Sequence, residues 1–227
     1  MRLVAILPII FLCSIAAFSQ AAPLPSQFQS WNEVQLIVPL VRSKDAKGKS
    51  IDKVTAIFNG VLRIGRSNLD FLDKRAGATI DFRLNRYLSL FAATLYRKDE
   101  IVVNARRYET RLDVGATFSK TWRNFSFRDR NLFEHRFRNG RNDLNLYRQR
   151  IQVSHPVKFN EKELFSPFIS EEGYYDLQSK TWIQNEFFAG ITRRINRNTS
   201  IDIAYIRNDS RPVNVNGISL NLKIRLR

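Results

Sequence analysis

Apolar and polar residues alternate strictly through the last stretch of the chain, residues 216–227. One face of this stretch is entirely aliphatic and consists of Ile218, Leu220, Leu222, Ile224 and Leu226. A period of two predicts a β-strand. In a soluble sheet the aliphatic face points to the core, whereas in a transmembrane barrel it points to lipid and the polar face lines the lumen.

The same alternation recurs upstream, which predicts an all-β protein. The segments lie at about residues 30–40, 51–64, 74–84, 87–97, 107–122, 125–138, 145–155, 164–172, 182–193 and 200–207. In the segment at 125–138, Asp129 and Asn131 interrupt the apolar face, which predicts a bulge there. A helical period of 3.6 residues is not sustained over three turns anywhere after the N-terminus, so we predict one antiparallel up-and-down barrel.

The number of strands follows from a closure argument. With the last strand, the alternating segments number about eleven, but a single-chain bacterial barrel has an even number of strands and both ends in the periplasm. We therefore expect 10–12 strands and prefer 12. The further strand would lie near residues 23–30, or one hairpin would be assigned differently.

The N-terminus has the features of a signal peptide. Arg2 supplies a positive charge, residues 3–18 are apolar, and Ser19-Gln20-Ala21 fits a cleavage site. We expect a signal peptide at residues 1–21 and a single barrel domain at residues 22–227. Removal of the signal peptide would take away the one cysteine, so disulfide and thiol chemistry are not expected.

The chain is strongly basic, and export changes what that charge implies. With Arg2 removed, 36 basic residues stand against 21 acidic ones, a net charge of 36 − 21 = +15. For an exported protein this charge favours anionic lipid, lipopolysaccharide or polyanionic solutes as partners. The basic residues are spread along the strands, so nucleic acid is not expected as a partner.

Two patterns favour a membrane barrel over a soluble one. Connections alternate between tight turns, such as Asn85-Arg86, and longer polar stretches, such as residues 98–106, 173–181 and 208–215, as in outer-membrane proteins. Aromatic residues near strand ends could form interfacial girdles. These residues are Trp31, Tyr87, Tyr96, Tyr108, Trp122, Phe125, Tyr174, Tyr175, Trp182 and Tyr205.

Several short motifs resemble a known family. They are Ser30-Trp31-Asn32-Glu33-Val34, Arg136-Phe137-Arg138, Leu146-Tyr147-Arg148-Gln149-Arg150, residues 165–172 and residues 184–190. Together with the closing hairpin they resemble the bacterial outer-membrane β-barrel family of unknown function DUF2490. The resemblance implies a location in the Gram-negative outer membrane, contact with its lipid and lipopolysaccharide and with the barrel assembly machinery, and no established activity.

The polar faces of the strands supply candidate lumen residues. They are Arg63, Arg75, Asp81, Arg83, Arg111, Asp113, Glu134, Arg136, Arg148, Arg150, Glu172, Glu186, Lys223 and Arg225. They would form either a ladder of cross-strand ion pairs in a structural barrel or a narrow pore for anionic or polar solutes. The alternatives are a soluble exported barrel that binds an apolar ligand and, less favoured, a lipid-modifying outer-membrane enzyme. The oligomeric state remains open.

The sequence does not favour catalysis or a bound cofactor. Only two histidines occur, and His155 follows Ser154 directly, so on a strand the two side chains point to opposite faces. A hydrolase needs a base within hydrogen-bond reach of its nucleophile. Metal-ligand spacings and phosphate-binding glycine loops are absent, so we expect no enzyme activity, no cofactor and no metal.

Overall fold

Long strands account for almost all of the structure, a computed structural model. It describes residues 26–44, 48, 50–65, 70–102, 105–160, 162–210 and 214–226. The predicted signal peptide at residues 1–21 lies outside these residues. Within the described part, no helix is long and apolar enough to cross a membrane.

Twelve strands are present in the described ranges, and the alternating sequence pattern marks nearly all of them. They are β1 (Ser26–Lys44), β2 (Ser50–Gly65), β3 (Asp70–Arg83), β4 (Leu88–Val102), β5 (Ala105–Trp122), β6 (Phe125–Arg138), β7 (Leu144–Ser154), β8 (Val157–Phe159), β9 (Lys162–Asp176), β10 (Thr181–Arg194), β11 (Thr199–Ser210) and β12 (Asn214–Arg225). The all-β prediction is confirmed, and β8 is the strand that the pattern did not indicate.

The sheet closes on itself through its first and last strands. Neighbouring strands are antiparallel, except that β1 pairs with β12 in parallel, from Ser26 opposite Asn214 to Ile37 opposite Arg225. Strand β8 pairs only with β9, so 12 − 1 = 11 of these strands form the wall of the barrel. The last strand therefore pairs with the first.

The argument that the barrel needs an even number of strands, in contrast, was wrong. A total of twelve strands matches the preferred number, but eleven of them close the barrel. The rule of even numbers assumes an antiparallel closing pair. An alternating series of eleven strands begins and ends in the same direction, and a parallel pair of β1 and β12 closes it without a further strand.

The two rims carry connections of similar length. We call the rim where β1 begins the N-rim and the rim where β12 ends the C-rim. The tight turns at residues 84–87, 123–124 and 195–198 lie at the C-rim. The longer connections predicted at the N-rim are mostly paired strand, because β4 runs to Val102 and β9 to Asp176. The predicted contrast between short and long loops is therefore wrong.

The predicted bulge at Asp129 is also absent from the structure. Asp129 lies directly opposite Phe118 on β5 and Ile151 on β7, with no register shift along β6. Asp129 and Asn131 remain on the outer face and hydrogen-bond to polar residues of β7. Gln149 donates to Asp129 at 3.3 Å, and the Tyr147 hydroxyl donates to Asn131.

The barrel has the opposite polarity to a water-soluble one. Large apolar side chains lie on its outer face, where Phe58, Val114 and Phe133 are 51%, 57% and 57% exposed. Glu134, the residue after Phe133, points to the interior and is 2% exposed. Because adjacent strand residues face opposite sides of the wall, one alternating pattern produces an apolar exterior and a charged interior.

Candidate functional site

The interior of the barrel holds buried carboxylates, each surrounded by several arginines. Asp73 on β3 accepts hydrogen bonds from Arg75 Nη2 at 2.5 Å and Arg97 Nε at 3.0 Å. Arg63 Nε on β2 lies 3.9 Å from the same carboxylate. One acid therefore joins three strands at this end of the interior.

A second carboxylate, Glu134 on β6, has the same arrangement. Arg136 Nε and Arg148 Nη1 both donate to it at 2.5 Å, and Arg111 Nη1 lies 3.6 Å away. The Glu134 side chain has no exposed surface. Its negative charge is therefore balanced by protein groups alone rather than by solvent.

Glu172 on β9 forms the third centre. Arg148 and Arg130 donate to Glu172 Oε1 at 2.7 and 2.9 Å, and Arg150 Nη1 lies 4.0 Å from Oε2. Arg148 also donates to the Tyr174 hydroxyl at 2.9 Å. Arg148 therefore bridges Glu134 and Glu172 and connects the second centre to the third.

Glu109 connects the first centre to the second. Arg97 Nη1 lies 3.8 Å from its carboxylate, and Arg111 Nε donates to it at 2.6 Å. A continuous chain of contacts consequently runs from β2 to β9. We call these residues the ionic network: Arg63, Asp73, Arg75, Arg97, Glu109, Arg111, Arg130, Glu134, Arg136, Arg148, Arg150 and Glu172.

In most of these ion pairs, the two partners do not occupy directly opposite positions on neighbouring strands. The pairs Asp73–Arg75, Glu109–Arg111 and Glu134–Arg136 lie two residues apart on one strand, where both side chains point inward. Directly opposite positions often carry like charges, as the register places Arg75 opposite Arg97, Arg111 opposite Arg136 and Asp113 opposite Glu134. The predicted ladder is thus right about ion pairing, but its geometry is mainly diagonal and within strands.

A cluster of buried apolar side chains lies on the other side of the interior. We call this group the apolar cluster: Trp31, Phe168, Phe188, Ala204, Ile206 and Val215, from β1 and β9–β12. The rings of Trp31 and Phe188 meet edge to face at 6.3 Å, and Trp31 Nε1 donates to Gln29 at 3.0 Å. The cluster fills the part of the interior that the ionic network does not.

Two arginines join the cluster to the network. The Arg63 guanidinium lies 3.2 Å from the centre of the Trp31 ring, and that of Arg150 lies 4.8 Å from Phe188. Trp31 and Tyr174, which were predicted for an outer girdle, are both buried in the interior. The prediction was wrong for them because their distance from a strand end does not decide which face they occupy.

The fourteen predicted lumen residues have different surroundings. Eight belong to the ionic network: Arg63, Arg75, Arg111, Glu134, Arg136, Arg148, Arg150 and Glu172. Glu186 is buried, accepts from Gln184 at 2.8 Å and interacts electrostatically with Arg63 and Arg75.

The remaining predicted residues are less tightly held. Lys223 donates to Asp202 at 2.6 Å, and Arg225 contacts Asp52 near the C-rim. Asp113 has a buried Oδ1 without a hydrogen-bond partner among the described residues. Asp81 is partly buried, and Arg83 is exposed at the end of β3.

Sequence inspection missed five members of the interior: Asp73, Arg97, Asp99, Glu109 and Arg130. Asp99 is paired with Arg97 at 3.2 Å. The available signal was an acid two residues from an arginine, as in Asp73–Arg75, Arg97–Asp99 and Glu109–Arg111. Two of the missed residues, Asp73 and Asp99, lie just outside the predicted segments 74–84 and 87–97, because β3 already begins at residue 70 and β4 continues to residue 102.

The two histidines lie away from the ionic network. His135 Nδ1 is 2.6 Å from Asn145 Oδ1, and its Nε2 is 3.7 Å from Asp143 Oδ2. The ring of His155 packs against Phe125 at 4.7 Å. Among the described residues, no group of three or more His, Cys, Asp or Glu side chains is arranged to hold a metal ion.

Fold and interior together define a closed β-barrel with a charged and partly apolar packed interior. The chain belongs to the family described as "Protein of unknown function (DUF2490)", whose model matches residues 28–215. The predicted family is therefore confirmed. A comparison with curated proteins finds no match.

Among solved structures, the chain is similar to an anion-selective porin from Comamonas acidovorans. The TM-score is 0.37 and the sequence identity is 11%, over 78% of this chain and 58% of the porin. The chain thus spans little more than half the length of that protein.

Proposed function

We propose that this protein is an integral β-barrel of the outer membrane whose interior is closed, so that it acts as a structural membrane protein and not as an open pore. The observation that carries the proposal is the inverted polarity of the wall. Exposed Phe58, Val114 and Phe133 face outward, while Glu134 and Glu172 are 2% exposed inside. Lipid stabilises such an exterior, whereas water would not.

Aromatic side chains on the outer face support the same placement. Near the N-rim, Tyr96 stacks on Tyr108 at 6.5 Å. Near the C-rim, Phe127 contacts Phe118 and Trp122 at 6.5 and 6.3 Å. Aromatic residues at both ends of an apolar band are characteristic of membrane–water interfaces.

The separation of these aromatic groups matches a bilayer. Tyr108 and Trp122 on β5 are 122 − 108 = 14 residues apart. At about 3.3 Å per residue and a tilt of about 45°, they would be separated by about 33 Å along the barrel axis. The hydrocarbon core of a bilayer is about 30 Å thick.

Burial of the carboxylates supports a closed interior. Glu134, Glu172, Asp73 and Glu109 are at most 3% exposed, so the surrounding arginines and not solvent supply most of the stabilisation of their charges. The ionic network holds eight arginines and four carboxylates, but each of these arginines lies within 4.0 Å of a carboxylate and is not a free cation that could attract anions. These features favour the structural barrel over the anion-selective pore.

Membrane fractionation tests the proposed placement in the membrane. Full-length protein in isolated membranes should resist extraction with alkaline carbonate and require detergent for release. Its mobility on gels should change on heating, as expected for a folded barrel. Release into the aqueous phase together with unchanged mobility would overturn the membrane placement and favour the soluble barrel.

Planar bilayer recording tests the proposed closed interior. We expect the reconstituted protein to give no steady conductance. The double variant Arg148→Ala, Glu172→Ala removes one bonded pair of opposite charge from the interior, so water should enter and conductance should appear. Steady anion-selective currents from the unaltered protein would overturn the closed interior and favour the pore.

A further inference from the structure

A long apolar groove lies on the outer face of the wall across β11, β12 and β1–β4. Its volume is about 840 Å³, within the range of roughly 300–1,000 Å³ for small-molecule sites. The outward side chains that line it include Val34, Leu62, Ala76, Tyr96, Leu220 and Leu222. Arg75 of the ionic network also lines the groove, but its side chain contacts Asp73 at 2.5 Å in the interior, on the other side of the wall.

Small residues make the outer face concave at this place. Gly60 lies directly opposite Val34 on β1 and Ala76 on β3. A Cβ atom added at Gly60 would have no heavy atom within 4 Å. Because the larger side chains of Leu62, Tyr96 and Leu222 surround this gap, the groove has apolar walls and a backbone floor.

One end of the groove is cationic. Lys74 and Lys98 lie directly opposite each other on β3 and β4, and both line the groove. They also line a smaller adjoining pocket of about 190 Å³ together with Asp99, Glu100 and Arg106. This pocket is lined by three cations and two acids, and a fourth cation, Arg97, lies 3.2 Å from Asp99, so positive charge predominates at this end.

We propose that the groove binds an anionic phospholipid, with an acyl chain along the apolar walls and the phosphate at Lys74 and Lys98. This inference rests on the proposed membrane placement. The lysines are near Tyr96 and Tyr108, with the Lys98 ammonium 5.7 Å from the Tyr108 ring, which is the level where headgroups begin. An apolar groove that ends in paired cations matches the chemistry of an anionic lipid.

Lipid retention measures the role of the lysines. Full-length protein would be reconstituted in nanodiscs of phosphatidylglycerol and phosphatidylcholine, and the retained lipids would be counted by native mass spectrometry. We expect enrichment of phosphatidylglycerol, and a loss of about fivefold for each of Lys74→Gln and Lys98→Gln. Lys120→Gln is the control, because Lys120 lies near the C-rim over the Trp122 ring, away from the groove, and should leave the enrichment unchanged.

A second pair of variants measures the role of the apolar walls. Gly60→Leu should fill the groove and reduce retention of phosphatidylglycerol, without a clash at its Cβ. Ala92→Leu on β4 introduces the same side chain at an exposed position outside the groove and should have no effect. Unchanged heat-modifiable mobility in both variants would show that the barrel remains folded.

Several results would overturn the proposal. Equal retention of both lipids, or no response to Lys74→Gln and Lys98→Gln, would exclude selection of an anionic phospholipid. Binding of inorganic phosphate with no effect of Gly60→Leu would assign the site to a free anion, and loss of a dimer in Gly60→Leu would assign it to a second copy. A protein that resists carbonate extraction but fails these tests would refute the lipid site alone, whereas carbonate-soluble protein would refute the membrane placement.

Discussion

The two sides of the barrel interior are packed with different kinds of side chain, charged on one side and apolar on the other. On β2–β9 the ionic network fills the space with arginines around Asp73, Glu134 and Glu172. On β1 and β9–β12 the apolar cluster fills it with side chains such as Ile206, which has no exposed surface. The first depends on contacts between opposite charges and the second on shape.

This difference indicates how substitutions on each side should affect the stability of the barrel. A charge removed from the network leaves its former partners buried without compensation. A side chain shortened in the cluster leaves a cavity whose effect depends on how far the neighbours relax. The network should therefore be sensitive to chemical identity, and the cluster should be sensitive mainly to volume.

The largest expected effect is at Glu134. Glu134→Ala leaves Arg111, Arg136 and Arg148 without their shared carboxylate, and breaking a buried ion pair costs about 3–5 kcal/mol. Urea unfolding in detergent micelles, followed by heat-modifiable mobility, would measure the loss of free energy of unfolding. A loss below 1 kcal/mol would mean that water reaches the arginines and that the interior is open.

Ile206 should give the next largest effect. Ile206→Ala creates a cavity in the apolar cluster and should cost about 2–5 kcal/mol in the same assay. Ile203→Ala is the matched control on the same strand, because Ile203 is 46% exposed on the outer face. Equal losses for the two variants would contradict the assignment of Ile206 to the interior and Ile203 to the exterior.

At Asp113, on the same side of the interior as the ionic network, a substitution should stabilise the protein instead of destabilising it. Asp113 lies directly opposite Glu134, and its buried Oδ1 has no hydrogen-bond partner among the described residues. Like charges at directly opposite positions are destabilising, so Asp113→Asn should raise the free energy of unfolding by about 0.2–1 kcal/mol. Glu134→Gln, at the facing position, should lower it, and a loss in both variants would show that Asp113 has a compensating partner.

The smallest effect is expected for an ion pair outside the interior. Arg207 and Asp209 form a pair at 3.0 Å with side chains 58% and 37% exposed. Exposed pairs contribute about 0–1 kcal/mol, so Arg207→Gln should leave urea unfolding almost unchanged. A loss comparable with that of Glu134→Ala would mean that this pair is covered by lipid or by another protein.

Much of the fold follows from local sequence because strand alternation is a local property. Residues 216–227 specified a strand with Leu220 outward, and Leu220 is 41% exposed on the outer face. The same pattern indicated Arg63, Glu134 and Glu172 as residues of the polar face. It did not indicate strand ends at Val102 or Asp176, because polar residues near a rim have the same composition as a loop.

The candidate site was only partly predictable for a related reason. Acid–arginine spacings of two, such as Glu109–Arg111, are visible in the sequence and correspond to hydrogen-bonded pairs. The contact between Arg148 and two different carboxylates is not visible, because it depends on the register of β6, β7 and β9. Trp31 is a different case, because the alternation places it on the same face as Glu33 and Gln35, and the girdle prediction used only its position near a strand end.

By itself, the sequence determined that the chain forms long strands with one apolar and one charged face, because side-chain direction alternates residue by residue. Only the tertiary structure decided that eleven strands close through a parallel pair of β1 and β12. It also decided which charges meet inside and that Gly60 and Ala76 open a groove outside. Closure and register depend on contacts between strands far apart in the chain, which no local pattern contains.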